Sequence, residues 1–389
     1  MPETADVVIV GGGVVGSSTA YHLKADGGTG RVVVLERDPT YEFASSVLSM
    51  GGVRQQFETE VSIRMMRYSI GFYERFGELL AVDDDPPDCG LNQVGYMFLA
   101  NPVNRATLQR RYELQRSLGV EAEILDQAGI LARHPGLFLD DIECAYFCRR
   151  DGFVEPYRIL QAFIRKAKAL GADYRSGEVV EVIVEGGRVA GVRTAAGERI
   201  STPVVVNAAG AHAGSLARRA GVELSVEPYR RQLFVGEPPE ALGMGFPMTI
   251  DPSGSHWRPD TPQTIVIAKT KWEEPPGVRF GWEPDWFRDK VWPDLAHRCP
   301  LFERLKLHRG WGGLYEVTPD HNAILGEHPD LPGFVLANGF SGHGLMMSPC
   351  TGKLVSEWIR LGRFETVDAS PLALARLRTG APLHSEAVI

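Results

Sequence analysis

Cysteine is scarce in this chain, and the few cysteines present form no C-x-x-C pair. The 389 residues include five cysteines, at positions Cys89, Cys144, Cys148, Cys299 and Cys350. An odd and scattered set excludes a disulfide framework and indicates thiols in a reducing compartment. Cys144 and Cys148 could share a helix face as metal ligands, but the residues between them are typical of a strand. We therefore predict no metal centre.

The sequence also lacks a long apolar run, a basic run and a leader. No apolar stretch approaches the ~20 residues of a membrane span, so we expect no transmembrane segment. The formal net charge of −8, without a basic run to oppose it, argues against nucleic acid as a partner. The first apolar strand begins by about residue 6, which leaves no room for a signal peptide. The simplest expectation is a cytoplasmic protein.

Glycines punctuate the first forty residues in an ordered way. An apolar run over 6–10 leads into Gly11, Gly13 and Gly16, and a second apolar run ends at Glu36. This order predicts a βαβ unit that binds a dinucleotide, against the alternative of a structural turn. Gly11 can take a positive φ, Gly13 lets the backbone approach a pyrophosphate, and Gly16 lets helix and strand pack closely. Glu36 suits ribose hydroxyls and disfavours NADP, which leaves FAD and NAD open.

Later stretches combine small residues with reactive ones. Residues 44–57 are mostly small until Arg54, and they could lie against a flat ligand or form a plain loop. The apolar run 204–206 ends in Asn207-Ala208-Ala209-Gly210, where a backbone can meet a ligand at the carboxyl end of a sheet, or simply turn. Residues 310–321 and 338–344 are rich in glycine, and Ser348-Pro349 predicts a helix start.

Hydrophobic periodicity predicts the remaining elements. Helices are expected at 59–80, 104–118, 122–134 and 157–170, and strands at 91–99, 178–184, 189–194, 200–207, 263–268 and 334–337. The length suggests two domains. Residues 1–85, 148–226 and 310–389 are expected to form a nucleotide-binding domain, and residues 86–147 and 227–309 a substrate domain rich in proline and tryptophan.

With these stretches in place, nearly the whole chain resembles the D-amino-acid oxidase superfamily of FAD proteins, in its sarcosine oxidase, glycine oxidase and dimethylglycine dehydrogenase branch. The matching motifs follow the family's order: the glycine turn with Glu36, residues 49–57, residues 207–210 and residues 339–344. The resemblance implies an α/β (α+β) fold, with an FAD-binding Rossmann-like βαβ domain and a second, mainly antiparallel-sheet substrate domain. It also implies noncovalent FAD, because the cysteine that holds flavin in monomeric sarcosine oxidases falls at Gly313.

Individual roles are carried over by position. Arg54 matches an arginine that binds the substrate carboxylate, and Tyr315 a tyrosine that faces the substrate. Beside these matches, Tyr315 and His343 are candidates for positioning or proton handling, and Arg258 is a weaker candidate for binding a second substrate anion. The alternatives are a structural ion pair for Arg54 and core packing or loop hydrogen bonding for Tyr315 and His343. The residues implied to bind FAD are Gly11, Gly13, Val14, Val15, Gly16, Glu36, Arg37, Ser45, Ser46, Ser49, Met50, Gly51, Gly52, Val180, Ala208, Ala209, Gly210, Gly312, Gly313, Ser341, Gly342, His343, Gly344 and Leu345.

Departures from the family pattern leave the substrate open. The lysine that partners the carboxylate arginine is replaced by Met346, and the lysine linked to oxygen activation falls on Val266, with Lys269 and Lys271 nearby. Residues 52–57 are most similar to a mitochondrial FAD oxidoreductase connected with respiratory complex I assembly and to its bacterial relatives.

The resemblance implies an enzyme that oxidises the C–N bond of a small amine or N-alkyl amino acid. Hydride passes to the flavin, the imine is hydrolysed, and oxygen or another acceptor takes the electrons. Rival interpretations are a 2-hydroxy acid dehydrogenase on the same fold, a flavoprotein with an assembly or binding role, and an NAD-dependent dehydrogenase.

Overall fold

The computed structural model describes residues 3–27 and 29–383. The expected nucleotide-binding domain also includes residues 1–2, 28 and 384–389, which lie outside the described residues. The strands are β1 (Glu3–Thr4), β2 (Val7–Val10), β3 (Val32–Glu36), β4 (Gly52–Val53), β5 (Tyr96–Ala100), β6 (Ala122–Leu125), β7 (Cys144–Cys148), β8 (Gly152–Phe153), β9 (Asp173–Ser176), β10 (Val179–Glu185), β11 (Arg188–Thr194), β12 (Arg199–Ser201), β13 (Val205–Asn207), β14 (Glu227–Glu237), β15 (Met248–Ile250), β16 (His256–Pro259), β17 (Ile265–Ala268), β18 (Lys306–Val317), β19 (Ile324–Glu327) and β20 (Phe334–Asn338).

The helices are α1 (Val14–Ala25), α2 (Glu60–Glu74), α3 (Phe76–Leu80), α4 (Arg105–Ser117), α5 (Gln127–Arg133), α6 (Pro156–Ala169), α7 (Ala213–Arg219), α8 (Pro284–Trp286), α9 (Trp292–Arg298), α10 (Gly344–Leu361) and α11 (Ala375–Arg378). A π-helical turn, Phe287–Val291, joins α8 to α9. Within residues 3–27 and 29–383, no helix is long and apolar enough to cross a membrane. The same residues contain no group of three or more His, Cys, Asp or Glu side chains placed to hold a metal ion.

The apolar runs at the start of the chain form the centre of a six-stranded sheet. Its order is β19-β20-β13-β2-β3-β9, parallel except for β19, which runs antiparallel to β20. Val7 and Ile9 of β2 pack in one core with α1, α6 and α10, whereas Val8 and Val10 pack in a second core with the four-stranded sheet β1-β12-β11-β10. Burial on both faces explains why these strands are apolar without alternation. The predicted βαβ unit and α/β class are confirmed.

A second, eight-stranded sheet has the order β18-β14-β17-β16-β15-β5-β7-β6. Its neighbouring strands are antiparallel except for β15 and β5. One face carries an aromatic core that includes Phe234 and Trp257, and the other carries Leu233 with Trp311 and Met50 packed against it. β18 pairs with β14 from Lys306 to Val317, so it runs across the expected domain boundary at residues 309 and 310.

Three predicted elements are divided in the structure. The strand expected over 200–207 is β12 in the four-stranded sheet and β13 in the six-stranded sheet, because Pro203 cannot donate to a ladder. The helix expected over 122–134 is wrong in its first half, which is the edge strand β6. α5 begins only after Asp126, whose carboxylate accepts from the Gly129 N–H at 2.7 Å. The helix expected over 59–80 breaks at Arg75 into α2 and α3.

The helix expected to start at Ser348-Pro349 starts earlier, at Gly344. Pro349 therefore lies inside α10, where it lacks the N–H that would bond to the Leu345 carbonyl. The Tyr73 hydroxyl donates to that carbonyl at 2.7 Å and the Ser348 hydroxyl at 2.9 Å. The freed acceptor is thus satisfied by side chains, and one of them comes from a residue 272 positions away.

Candidate active site

The turn between β2 and α1 has no room for side chains at two of its glycines. Gly11 has a φ of +103°, and a Cβ there would lie 2.3 Å from the Ala208 carbonyl oxygen. A Cβ at Gly16 would lie 1.9 Å from the Gly11 carbonyl oxygen. The positive φ of Gly11 and the close packing at Gly16 agree with the sequence prediction.

Gly13, the middle glycine of the motif, stands at the start of α1, which has no side-chain cap. α1 begins after Gly13 with no side-chain cap, so its first N–H groups remain available, apart from Val14 N–H, which donates to Ser46 Oγ at 3.2 Å. A Cβ added at Gly13 would meet only Ser46 Oγ, at 3.5 Å. The protein's own packing therefore does not require this glycine, and the open approach to a helix N-terminus fits a pyrophosphate.

Glu36 lies at the carboxyl end of β3, beside this turn. Its Oε2 accepts from Gly12 N–H at 2.7 Å and its Oε1 from Asp38 N–H at 2.9 Å, and each oxygen keeps a further lone pair for ribose hydroxyls. Arg37 donates to His212 Nε2 at 2.7 Å. Burial and the Arg37 charge lower the pKa of His212, so it accepts as a neutral ring. These groups form one end of a cavity.

That cavity extends from Glu36 to Tyr315 and is lined by residues from both sheets. The predicted FAD-binding residues that line it are Gly11, Gly13, Val14, Val15, Glu36, Arg37, Ser45, Ser46, Ser49, Met50, Ala208, Ala209, Gly210, Gly313, Gly342, Gly344 and Leu345. The uncapped helix, the acidic residue and the run of small residues fit FAD. None of the five cysteines lines the cavity, and at Gly313 a Cβ would lie 3.2 Å from Leu48 Cβ.

Other predicted FAD-binding residues lie outside the cavity wall: Gly16, Gly51, Gly52, Val180, Gly312, Ser341 and His343. Val180 is exposed on the surface of β10, and its neighbour Val179 lines the cavity instead. Two of the glycines serve protein packing, since a Cβ at Gly51 would lie 2.3 Å from the Val154 carbonyl oxygen and one at Gly52 1.8 Å from the Tyr96 hydroxyl.

Two residues of the eight-stranded sheet hold residues 44–50, the small-residue segment, against the cavity. Trp311 Nε1 donates to the Leu48 carbonyl at 3.0 Å, and Arg258 Nε donates to the Met50 carbonyl at 2.6 Å. The Arg258 guanidinium also packs over the Phe153 ring, 4.6 Å from its centroid. Arg258, a predicted catalytic residue, is buried, does not line the cavity and joins the second sheet to Met50 and to Phe153 of β8.

Arg54 also lies behind the cavity wall, although the resemblance assigns it to the substrate carboxylate. Its side chain is buried, donates to the Gln56 carbonyl and donates to His343 Nε2 at 3.1 Å. The guanidinium lies 4.2 Å from the Phe57 ring centroid. Burial and the Arg54 charge hold the pKa of His343 well below its usual value, so His343 is a neutral acceptor. Neither Arg54 nor His343 lines the cavity.

Tyr315 does line the cavity, and beside it stands Arg231, which sequence reasoning missed. The Arg231 guanidinium lies 5.4 Å from the Tyr315 ring centroid. The ring packs over Gly342, whose φ is +99° and where a Cβ would lie 2.3 Å from the ring. The alternation of β14 would have grouped Arg231 with Tyr229 and Leu233, but its pairing with β18 is not readable from sequence.

Further ionisable residues line the same cavity. Burial raises the pKa of Glu316 to about 7, and its Oε2 accepts from Gly339 N–H at 3.0 Å. Burial lowers the pKa of His256 to about 4, and its Nδ1 lies 3.0 Å from the Gly254 carbonyl, which leaves Nε2 as an acceptor. Lys269 lines the cavity but pairs with Asp294, whereas Lys271 pairs with Glu283 at 2.7 Å.

Comparison with known proteins identifies related chains of the same architecture. A family model described as "FAD dependent oxidoreductase" matches residues 6–358. FAD-dependent oxidoreductase domain-containing protein 1 of Bos taurus is 34% identical over 100% of this chain and 88% of its own length. Mitochondrial sarcosine dehydrogenase of Homo sapiens is 29% identical over 94% of this chain and 40% of its own length.

Solved structures agree over nearly the whole chain. L-proline dehydrogenase from P. horikoshii superposes with a TM-score of 0.90 at 28% identity, covering 98% of this chain and 100% of its own. Glycine oxidase from Geobacillus kaustophilus superposes with a TM-score of 0.83 at 25% identity, covering 96% of this chain and 99% of its own.

Proposed function

The chain belongs to the FAD dependent oxidoreductase family, and from that premise we propose that it oxidises the C–N bond of a small amine or amino acid with noncovalently bound FAD. The observation that carries the proposal is one cavity that joins the glycine turn and Glu36 to Tyr315 and Arg231. Similar proteins are named for amino-acid substrates, among them sarcosine dehydrogenase, glycine oxidase and L-proline dehydrogenase.

In this proposal the first sheet holds the cofactor. Gly13 and the first N–H groups of α1 bind the pyrophosphate, and Glu36 binds the adenosine ribose. Residues 44–50 and 208–210 lie along the cofactor, where small side chains leave room for it. Gly313 supplies no side chain to which flavin could be joined covalently. When bound, FAD supplies the acceptor for the hydride that leaves the α-carbon.

The remaining cavity residues hold the substrate and control its proton. Oxidation requires a neutral amine, and the buried Arg231 guanidinium lowers the pKa of an ammonium group near it. His256, neutral with Nε2 as its ring acceptor, can accept a hydrogen bond from the amine. Tyr315 lines the cavity, where its hydroxyl can position the substrate. The imine product then takes up water and is hydrolysed.

Anaerobic titration of the purified protein tests this function. We expect absorbance near ~450 nm, release of the chromophore by acid, and bleaching by at least one member of an amine panel but not by matched 2-hydroxy acids. Bleaching by hydroxy acids alone would assign the rival dehydrogenase activity. If neither panel bleaches the flavin and a protein partner is captured reproducibly, an assembly role is favoured. A colourless protein that gains no colour from added FAD would refute the cofactor assignment. The rate at which the bleached flavin regains its absorbance is then measured after air is admitted and after artificial electron acceptors are added, which identifies the better acceptor.

A further inference from the structure

Arg231 occupies a defined place in the wall of the cavity. It lies on β14 opposite Gly313 of β18, and two positions away Tyr229 lies opposite Tyr315. Residues two apart on a strand share a face, so Arg231, Tyr229 and Tyr315 stand on one face of the sheet. Gly313 adds no side chain beside the guanidinium. Arg231 is 8% exposed, and that face opens into the cavity.

Arg231 forms no ion pair with a described carboxylate, and Glu274, which pairs with Arg230, compensates its charge only in part. The hydrogen bond of Arg231 within the described chain runs from Nη1 to the Arg230 carbonyl at 3.0 Å, and its Nε is buried without a partner. No described carboxylate lies within 4.0 Å of it. The rings of Tyr229 and Tyr315, 5.6 and 5.4 Å away, give partial compensation.

Two other buried arginines of this protein, Arg376 and Arg298, are paired with carboxylates. Arg376 binds the Asp320 carboxylate through Nε at 2.7 Å and Nη2 at 3.0 Å, and Arg298 binds Asp141 at 2.8 Å as well as Asp251. Burial of an unpaired charge is costly, and proteins commonly avoid it by supplying a carboxylate. At Arg231 the chain supplies no directly paired carboxylate, which leaves the guanidinium N–H groups available to an anion in the cavity.

Two further polar side chains stand near Arg231. Tyr315 lines the cavity, and His321 Nδ1 is buried without a hydrogen-bond partner among the described residues. His321 has a φ of +57° and lies close enough for the Arg231 charge to lower its pKa, after burial. Neither Tyr315, whose pKa is raised by burial, nor His321 therefore offers Arg231 a negative charge.

We propose that Arg231 is the anion anchor of the substrate cavity, with the Tyr315 hydroxyl as a second donor, and that it selects amines that carry a carboxylate. The planar guanidinium matches a carboxylate through two N–H groups. This inference rests on the proposed amine oxidation and names its substrate class. It assigns the substrate carboxylate to Arg231 on β14 and not to Arg54, which lies behind the cavity wall.

The test uses the FAD-loaded enzyme and measures binding rather than turnover. Acetate and its neutral counterpart acetamide are titrated while the flavin absorbance is recorded, for the wild type, Arg231→Met, Arg231→Lys and Arg309→Met. Arg309 is the matched control, since it lies on the same face of β18, is exposed and does not line the cavity. We expect Arg231→Met to weaken acetate by ~10- to 100-fold, Arg231→Lys to recover part of that loss, and Arg309→Met to stay within ~2-fold. Acetamide should not respond to any of the three.

A second arm compares anaerobic bleaching by proline with bleaching by pyrrolidine, which lacks the carboxylate. We expect Arg231→Met to remove the preference for proline. Equal acetate affinity in Arg231→Met and wild type would overturn the anchor, even where amines still bleach the flavin and the proposed function stands. Loss of acetate binding without bleaching by any amine would support the anion site and refute the amine chemistry. If Arg231→Met does not bind FAD, Arg231→Gln replaces it, and wild-type acetate affinity in that variant would overturn the proposal.

Discussion

Replacement of Gly16 by alanine tests whether the protein itself demands a glycine in the turn. The new Cβ would lie 1.9 Å from the Gly11 carbonyl oxygen and 3.2 Å from Ile9 Cγ2. Real Cβ contacts essentially never fall below 3.0 Å, so α1 and the turn must separate by about 1.1 Å. α1 has little freedom to move, because it is packed against α6 and α10. Overpacking of this kind costs about 1–3 kcal/mol, and we expect about 2 kcal/mol from the free energy of unfolding.

Replacement of Gly13 by alanine is the matched control, for which we expect little change in stability and a loss of FAD affinity. Gly13 has a φ of −61°, which alanine adopts freely, and its Cβ would meet only Ser46 Oγ, at 3.5 Å. We therefore expect the stability of the apoprotein to change by less than ~0.5 kcal/mol. The added methyl group would stand where the pyrophosphate approaches the backbone, so FAD affinity should fall by ~10-fold or more.

Two measurements separate these effects. Urea denaturation of the apoprotein, followed by circular dichroism, gives the stability, and quenching of tryptophan fluorescence by added FAD gives the affinity. Gly71→Ala serves as a positive control in the interior of α2, where an added Cβ meets nothing within 4 Å and should stabilise the protein by ~0.5–1 kcal/mol. Wild-type stability in Gly16→Ala, or wild-type FAD affinity in Gly13→Ala, would refute the assigned role of that glycine.

Further predictions concern the buried polar groups. Because burial raises the pKa of Glu316 to about 7, its contribution to stability is present below about pH 4.5 and is lost as pH rises towards 7. Glu316→Gln should therefore lose less stability over that range, and identical denaturation profiles against pH would contradict this. Tyr73→Phe should cost ~1 kcal/mol in wild type and less in a Pro349→Ala background, where a backbone N–H returns; a double-mutant cycle with no coupling would disprove the compensation. Arg54→Lys should lower the denaturation midpoint yet reduce acetate affinity less than Arg231→Met does. A larger loss of acetate affinity in Arg54→Lys than in Arg231→Met would assign the carboxylate to Arg54.

The glycine turn could be predicted from the sequence because most of its requirements are local. The positive φ of Gly11 and the contact of Gly16 with the Gly11 carbonyl arise within one short span of the chain, whereas the approach of Ala208 to Gly11 comes from a distant part of the chain. The start of α10 could not be predicted in the same way. A serine followed by proline normally marks a helix start, and here that rule fails because Tyr73, from a distant helix, satisfies the carbonyl that Pro349 leaves free.

The cavity wall shows the same distinction between local and distant information. Small side chains predict that residues 44–57 and 207–210 lie near a ligand, and most of residues 44–50 and 207–210 do line the cavity. Gly51 and Gly52 belong to the same run but face the protein, because their neighbours Val154 and Tyr96 come from other parts of the chain. Small residues thus predict a close approach, and only the tertiary contacts decide whether ligand or protein approaches.

Two arginines near Tyr315 extend this reasoning to charge. Both lower the pKa of the Tyr315 phenol, against the larger effect of burial, so both lie within electrostatic reach of it. For Arg54 the chain supplies acceptors, from Gln56 and His343, whereas for Arg231 it supplies one backbone carbonyl and leaves Nε without a partner. A buried guanidinium whose acceptors are provided by the fold contributes to structure, and one whose acceptors are missing is available to a ligand. The residue type, which is all that the sequence offers, is the same in both cases, and the surrounding partners determine the role.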